Sequence, residues 1–196
     1  MTVPPLSTAP GQPTIIEIRP DADEALARSV LAVQHAAYAV EAALIGDDRI
    51  PPLHETVTDL RAAPLRWLAA FAADLPDDAP GVQPGAEPPA SAADLPGDGA
   101  SVNTGAPRLA GAIAWTEDDA TVDIDRLVVD PAAHRRGVGR ALVGAVLARA
   151  GARRVLVATG RANQPARRLY ESLGFTVIGD EEVIPNLWIS RYERPI

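Results

Sequence analysis

The chain has 196 residues, enough for one domain with a sizeable core, and its 47% hydrophobic content with a mean hydropathy near zero predicts a globular protein. With no Cys, disulfides, thiolate metal sites and a Cys nucleophile are excluded. His35, His54 and His134 lack metal-ligand spacing, so no metal is expected. The net charge of -8 argues against nucleic acid as a partner, and no apolar run reaches the ~18 residues needed to span a membrane.

Residues 1–13, rich in Pro, Thr and Ser, read as a flexible tail. They lack the basic and apolar regions of a signal peptide, so a cytoplasmic location is expected. TIIEIR (14–19) reads as a strand, and Pro20-Asp21 open a helix over 22–44. Its apolar positions Leu26, Val30, Val33, Ala37 and Val40 recur at three- and four-residue spacing, and Gly46-Asp47-Asp48 end it. IPPL (50–53) is a rigid connection, HETVTDLRAA (54–63) a short helix stopped by Pro64, and LRWLAAFA (65–72) a buried strand.

Segment 74–107 differs in kind. Pro, Gly, Ala, Ser and Asp dominate it, and such a composition buries too little surface to offset its ordering entropy. It reads as a disordered insertion within a single domain over 14–196. Strands follow at 108–116 and 121–130, then a helix at 137–151, a continuous apolar strand at 153–159 of the kind buried in a parallel sheet, and a helix at 163–174. Asn163 reads as the N-cap of that last helix and Gly174 as its stop. Strands at 175–179 and 187–193 complete a β-α-α-β-β-β-α-β-α-β-β order. The helix between strands 121–130 and 153–159 makes them a βαβ unit.

Three features of this second half carry chemistry. In TVDIDRLVVD (121–130), Val122 and Ile124 share one phase while Leu127 and Val129 share the other. Two phases in one strand predict a bulge near Asp125-Arg126 with unpaired backbone N–H groups; a strand buried on both faces would read the same way. In HRRGVGRAL (134–142), two Gly open a helix directly after a strand, which suits a pyrophosphate at the helix N-terminus. The Rossmann fingerprint fails there because its third Gly falls on Leu142, and no GK[ST] completes a P-loop. Finally, every cation is Arg. Nine Arg lie between Pro131 and Tyr170 with no Asp or Glu among them, a basic block suited to a localised phosphate ligand or simply to two exposed helix faces.

Residues 121–175 resemble the cofactor-binding core of the GNAT superfamily of N-acetyltransferases. That family places a Gln/Arg-x-x-Gly-x-Gly/Ala signature between a bulged strand and a helix. Here His134 stands where Gln or Arg is expected, and Arg136-x-x-Gly139-x-Ala141 matches in a second frame. NQPARRLYESLGF (163–175) is similar to the family's following helix. The resemblance implies an α/β protein of α+β type, with a mixed sheet of six to seven strands and four main helices. It implies acetyl-CoA as acyl donor, held by Leu127, Val128 and Val129 on the strand, by His134, Arg135, Arg136, Gly137, Val138, Gly139, Arg140 and Ala141 at the signature, and by Asn163 and Arg167.

The implied reaction is direct attack of a primary amine, on a small molecule or peptide, through a tetrahedral intermediate. Tyr170 would protonate the departing thiolate and Asp125 would act as base, with Asp123, Glu117, Glu55 or a water chain as alternatives. Tyr38, Glu41, Glu55 and Trp188 are acceptor-pocket candidates. A homodimer is compatible with this reading. Two other readings stay open: a GNAT-fold acyl-CoA sensor or partner without catalysis, and a protein that binds another phosphate ligand at 134–142.

Overall fold

The computed structural model describes residues 12–72, 75 and 107–195. Most of the expected tail and nearly all of the expected insertion lie outside the described residues. The elements are β1 (Thr14–Ile18), α1 (Glu24–Ile45), a 3-10 turn (Pro51–Leu53), α2 (Val57–Ala62), β2 (Arg66–Ala72), β3 (Arg108–Glu117) and β4 (Thr121–Val129). A second 3-10 turn (Pro131–Ala133), α3 (Val138–Ala150), β5 (Arg154–Gly160), α4 (Gln164–Ser172), β6 (Thr176–Ile184) and β7 (Leu187–Arg194) follow. The order matches the sequence expectation, and the local signals act where they stand. Asp23 caps α1 by accepting from Leu26 N–H, Gly46 closes it at φ 72°, and Asn163 caps α4 by accepting from Ala166 N–H.

The strands form one mixed sheet in the order β1-β2-β3-β4-β5-β7-β6, in which only β4 and β5 are parallel. Helices cover both faces. Ala27, Val30 and Val33 of α1 and Leu60 of α2 pack on Trp67, Ala69, Ala112 and Ala114. Leu142, Val143 and Val146 of α3 and Tyr170 of α4 pack on the other face with Leu68, Ile113, Trp115 and Val157. Both faces of β2 and β3 are therefore buried, which explains their unbroken apolar sequence.

Three expectations are adjusted. Val40, counted on the apolar face of α1, is exposed, while Gln34 is fully buried. The 153–159 segment is parallel to β4 on one side but antiparallel to β7 on the other. β6 extends to Ile184, and nearly all of it is exposed.

Gly111 marks a close approach of backbone to backbone. A Cβ there would lie 2.7 Å from Val128 O and 3.1 Å from Val138 Cγ1, so it would push β3 away from both β4 and the start of α3. Gly111→Ala is expected to cost about 1–3 kcal/mol of stability, as overpacking does, measured by denaturant unfolding. An unchanged midpoint would mean that the strands yield freely at this point.

Candidate functional site

The bulge expected near Asp125-Arg126 is present. Ala114 pairs with Arg126 and Trp115 with Ile124, so Asp125 is the extra residue of β4. Its effect on the side chains is a change of phase. Val122 and Ile124 pack in the α3/α4 core before the bulge, and Leu127 and Val129 pack against that same core after it. Arg126 and Val128 are buried toward the α1 face instead.

At the same point β4 loses its second neighbour. Its parallel pairing with β5 runs from Thr121↔Arg154 to Ile124↔Val157 and stops. Ala158 to Gly160 continue on β7 alone. Asp130 N–H donates to Ala110 O at 2.9 Å on the β3 side. Antiparallel alternation then turns the N–H groups of Leu127 and Val129 to the opposite edge, which β5 has left. The Val129 carbonyl on that edge accepts from His134 Nε2 at 3.3 Å.

The start of α3 adds a second set of donors. Gly137 sits at φ 80° as an N-cap with no side chain to cap the helix. The first helical bond is Ala141 N–H to Gly137 O, so the N–H groups of Val138, Gly139 and Arg140 precede it. Open space surrounds the Gly137 Cα, whereas a Cβ on Gly139 would meet Leu169 Cδ2 at 3.3 Å and Val129 Cγ2 at 3.6 Å. Gly139 therefore also allows α3, α4 and β4 to pack closely. The free donors and the helix dipole suit an anion, so the residues here fit a pyrophosphate.

The candidate side chains divide into groups. Arg135, held at φ 62°, is exposed beside this N-terminus. Arg140 Nη2 donates to Ser172 Oγ at 2.7 Å, tying α3 to α4. Arg167 is engaged by protein groups: Nε donates to Tyr192 Oη at 2.9 Å and Nη1 to Arg161 O at 3.0 Å. Asn163 is buried and its carbonyl oxygen is used as the helix cap.

Tyr170 is buried, with ring centroids 5.7 Å from Phe175 and 5.9 Å from Tyr192. Every fully buried side-chain polar atom among the described residues has a hydrogen-bond partner. The Tyr170 hydroxyl has none among them, so its oxygen is not fully enclosed by the protein. Burial raises its phenol above the ordinary value, with Glu41 and Tyr192 adding to the effect. Burial also raises the Tyr38 phenol, which feels Glu41, Arg126, Asp125 and Tyr170 in turn. Glu41 joins α1 to the end of β5, accepting from Thr159 Oγ1 at 3.2 Å and from Gly160 N–H at 3.1 Å.

Of the candidate bases, Asp125 lies at the bulge with its side chain 44% exposed. Desolvation raises the Asp123 carboxyl, opposed by Arg191 and assisted by Asp125. Glu117 belongs to a different part of the sheet, pairing with Arg66 and with Arg153 at 2.9 Å. Burial works against its charge, but hydrogen bonds from Arg66, Arg153 and Trp115 hold it below its ordinary value. Glu55 pairs with Arg126 at 2.5 Å. The sequence reading missed Arg126 and Gln34, and a cation or an amide inside an otherwise apolar pattern was the available signal. A shallow hollow at the end of α1, lined by Ala42, Ala43 and Gly46 to Arg49, lacks the convergent donors of the β4–β5 opening. No group of three or more His, Asp or Glu among the described residues is arranged to hold a metal.

Comparison with known proteins agrees with this geometry. The family model of the GNAT acetyltransferases matches residues 78–175, half of the chain. A GCN5-related N-acetyltransferase from Rhodopseudomonas palustris has the same fold at a TM-score of 0.58, with 16% identity over 94% of this chain and 96% of its own. An acetyltransferase of the GNAT family from Streptococcus pneumoniae superposes at 0.57, with 16% identity over 94% of this chain and all of its own. No curated protein sequence matches. A parallel strand pair that opens at a bulge beside an uncapped helix, a sheet shared with these enzymes and the family match together make the chain a member of the GNAT acetyltransferase family, an acyltransferase of the kind that uses an acyl-CoA cosubstrate.

Proposed function

We propose that this protein moves an acetyl group from acetyl-CoA to a primary amine of a small molecule or peptide, by direct attack through a tetrahedral intermediate. The observation that carries the reading is the parting of β4 from β5 just after Ile124 and Val157, at the bulge, with the free N–H edge of Leu127 and Val129 facing the opening. An extended ligand can add to such an edge as a strand would, and an N–H there can polarise a thioester carbonyl. The uncapped turn from Gly137 to Arg140 holds the pyrophosphate, and Arg135, Arg136, Arg140 and Arg168 supply positive charge around it.

In the reaction the amine nitrogen bonds to the carbonyl carbon and the carbon–sulfur bond breaks. Asp125 takes the proton lost by the amine. Tyr170 donates to the departing thiolate. A phenol held above its ordinary value enters the reaction fully protonated, so it stabilises the thiolate by donation more than by complete transfer. The buried cap role of Asn163 and the protein contacts of Arg167 make both second to the α3 turn in cofactor binding.

A panel of amine acceptors monitored by CoA thiol release tests the activity, and no release with any acceptor would defeat it. Binding carries a further expectation. Exposed charges are screened beyond ~8 Å at physiological ionic strength, so raising salt from ~0.05 M to ~0.5 M should weaken CoA by about tenfold in calorimetry. An affinity independent of salt would leave the Arg block with no electrostatic role in binding.

A further inference from the structure

Arg126 is a buried cation that the reaction as described does not use. Its side chain is 6% exposed. The bulge at Asp125 turns it onto the α1 face, among Val128, Trp67, Ala112 and Ala114. A guanidinium loses its hydration in such a place, and an apolar residue of similar volume often serves packing at least as well. Packing alone therefore does not account for Arg at this position.

Its partners come from three separate segments. Nε donates to Asp125 Oδ1 at 2.7 Å. Nη1 donates to Glu55 Oε2 at 2.5 Å and to Gln34 Oε1 at 3.1 Å. The guanidinium carbon stands 5.6 Å from the Trp67 ring centroid. Gln34 closes the network through Nε2, which donates to Glu55 Oε2 and to Pro52 O, both at 2.8 Å. One guanidinium thus joins the bulge to α1 and to the connection between α1 and α2.

Asp125 is held asymmetrically by this arrangement. Oδ1 is engaged by Arg126, while Oδ2 makes no hydrogen bond among the described residues, on a side chain 44% exposed. An Asp at a bulge without such a partner would turn about χ1 and χ2 between several rotamers. We propose that Arg126 is a positioning residue, which pins one oxygen of Asp125 so that the other stays open to take the proton of the incoming amine. The proposal rests on the reading of Asp125 as that proton acceptor. Glu55 and Gln34 complete the device by holding the guanidinium from its far side.

A double-mutant cycle tests it, using Arg126→Met, Asp125→Asn and the two together in the full chain. Turnover, the KM for acetyl-CoA, CoA affinity by calorimetry and thermal unfolding are measured for each. Arg126→Met should lower kcat about tenfold or more while the acetyl-CoA KM and CoA affinity stay within about twofold. In the Asp125→Asn background the same change should lower kcat by less than about twofold, since the group it positions is already lost. Arg126→Lys keeps the charge with a single donor head and should recover part of the rate.

Unaltered turnover in Arg126→Met or in Asp125→Asn would overturn the proposal, as would losses that multiply in the double variant. Should Arg126→Met fail to fold because Glu55 is left without its cation, Arg126→Met/Glu55→Gln, compared with Glu55→Gln, takes its place in the cycle with the same expectation. Thiol release by the unaltered protein with multiplying losses would remove this proposal alone. No thiol release with any amine would remove the acyl-transfer reading and this proposal with it.

Discussion

Replacing Tyr170 with Phe should lower turnover by roughly 10- to 1000-fold, the effect of losing one proton or hydrogen-bond donor at the leaving group, with CoA affinity nearly unchanged. The ring is placed by packing: it is buried against Phe175 and Tyr192, and Phe conserves those contacts. The hydroxyl has no hydrogen-bond partner among the described residues, so its removal leaves none of their buried donors or acceptors unpaired, and thermal stability should barely change. Burial first, then Glu41 and Tyr192, keep the phenol protonated throughout the neutral range. A donor left without a partner among the described residues is what a departing thiolate requires. Steady-state turnover at saturating acetyl-CoA, with the Tm recorded in parallel, separates the outcomes. Equal kcat in the two proteins would assign stabilisation of the thiolate to water or to another group.

Gly137→Asp should abolish CoA binding, weakening it by about 100-fold or more while the fold survives. The structure selects this position over Gly139. A side chain at Gly139 would run into Leu169, Val129 and Leu127, so Gly139→Asp would bury a carboxylate among aliphatic groups and lose stability together with binding. At Gly137 there is only open space, and the cost is limited to the left-handed φ of 80°, about 1–2 kcal/mol for an ordinary residue and less for Asp. The new carboxylate would stand beside the first turn of α3, next to the donors proposed for the pyrophosphate, and repel the ligand by its charge. Calorimetry with CoA, alongside thermal unfolding, is the check. Binding retained with a folded protein would move the pyrophosphate away from the α3 turn.

The local part of this protein could be read from its residues. A bulge needs only a phase change within one strand, and Val122, Ile124, Leu127 and Val129 display it across eight positions. A helix that begins at Gly, a cap at Asn163 and stops at Gly46 and Gly174 depend on backbone groups within a few residues, so their signals stand beside their effects. The resemblance of 121–175 to the family rests on the same short-range features, because the donors proposed for the cofactor are mostly backbone groups of consecutive residues.

The tertiary structure decided everything that links distant segments. Arg126 meets Glu55 across 71 positions and Gln34 across 92, and no periodicity couples residues so far apart. Glu41 reaches Gly160 only because α1 crosses the open end of β5. The exposure of Val40, the full length of β6 and the packing role of Gly139 likewise depend on which neighbour each element meets. Burial is a property of the assembled sheet and helices, so the sequence could name the chemistry of the α3 turn but not the buried cation behind Asp125.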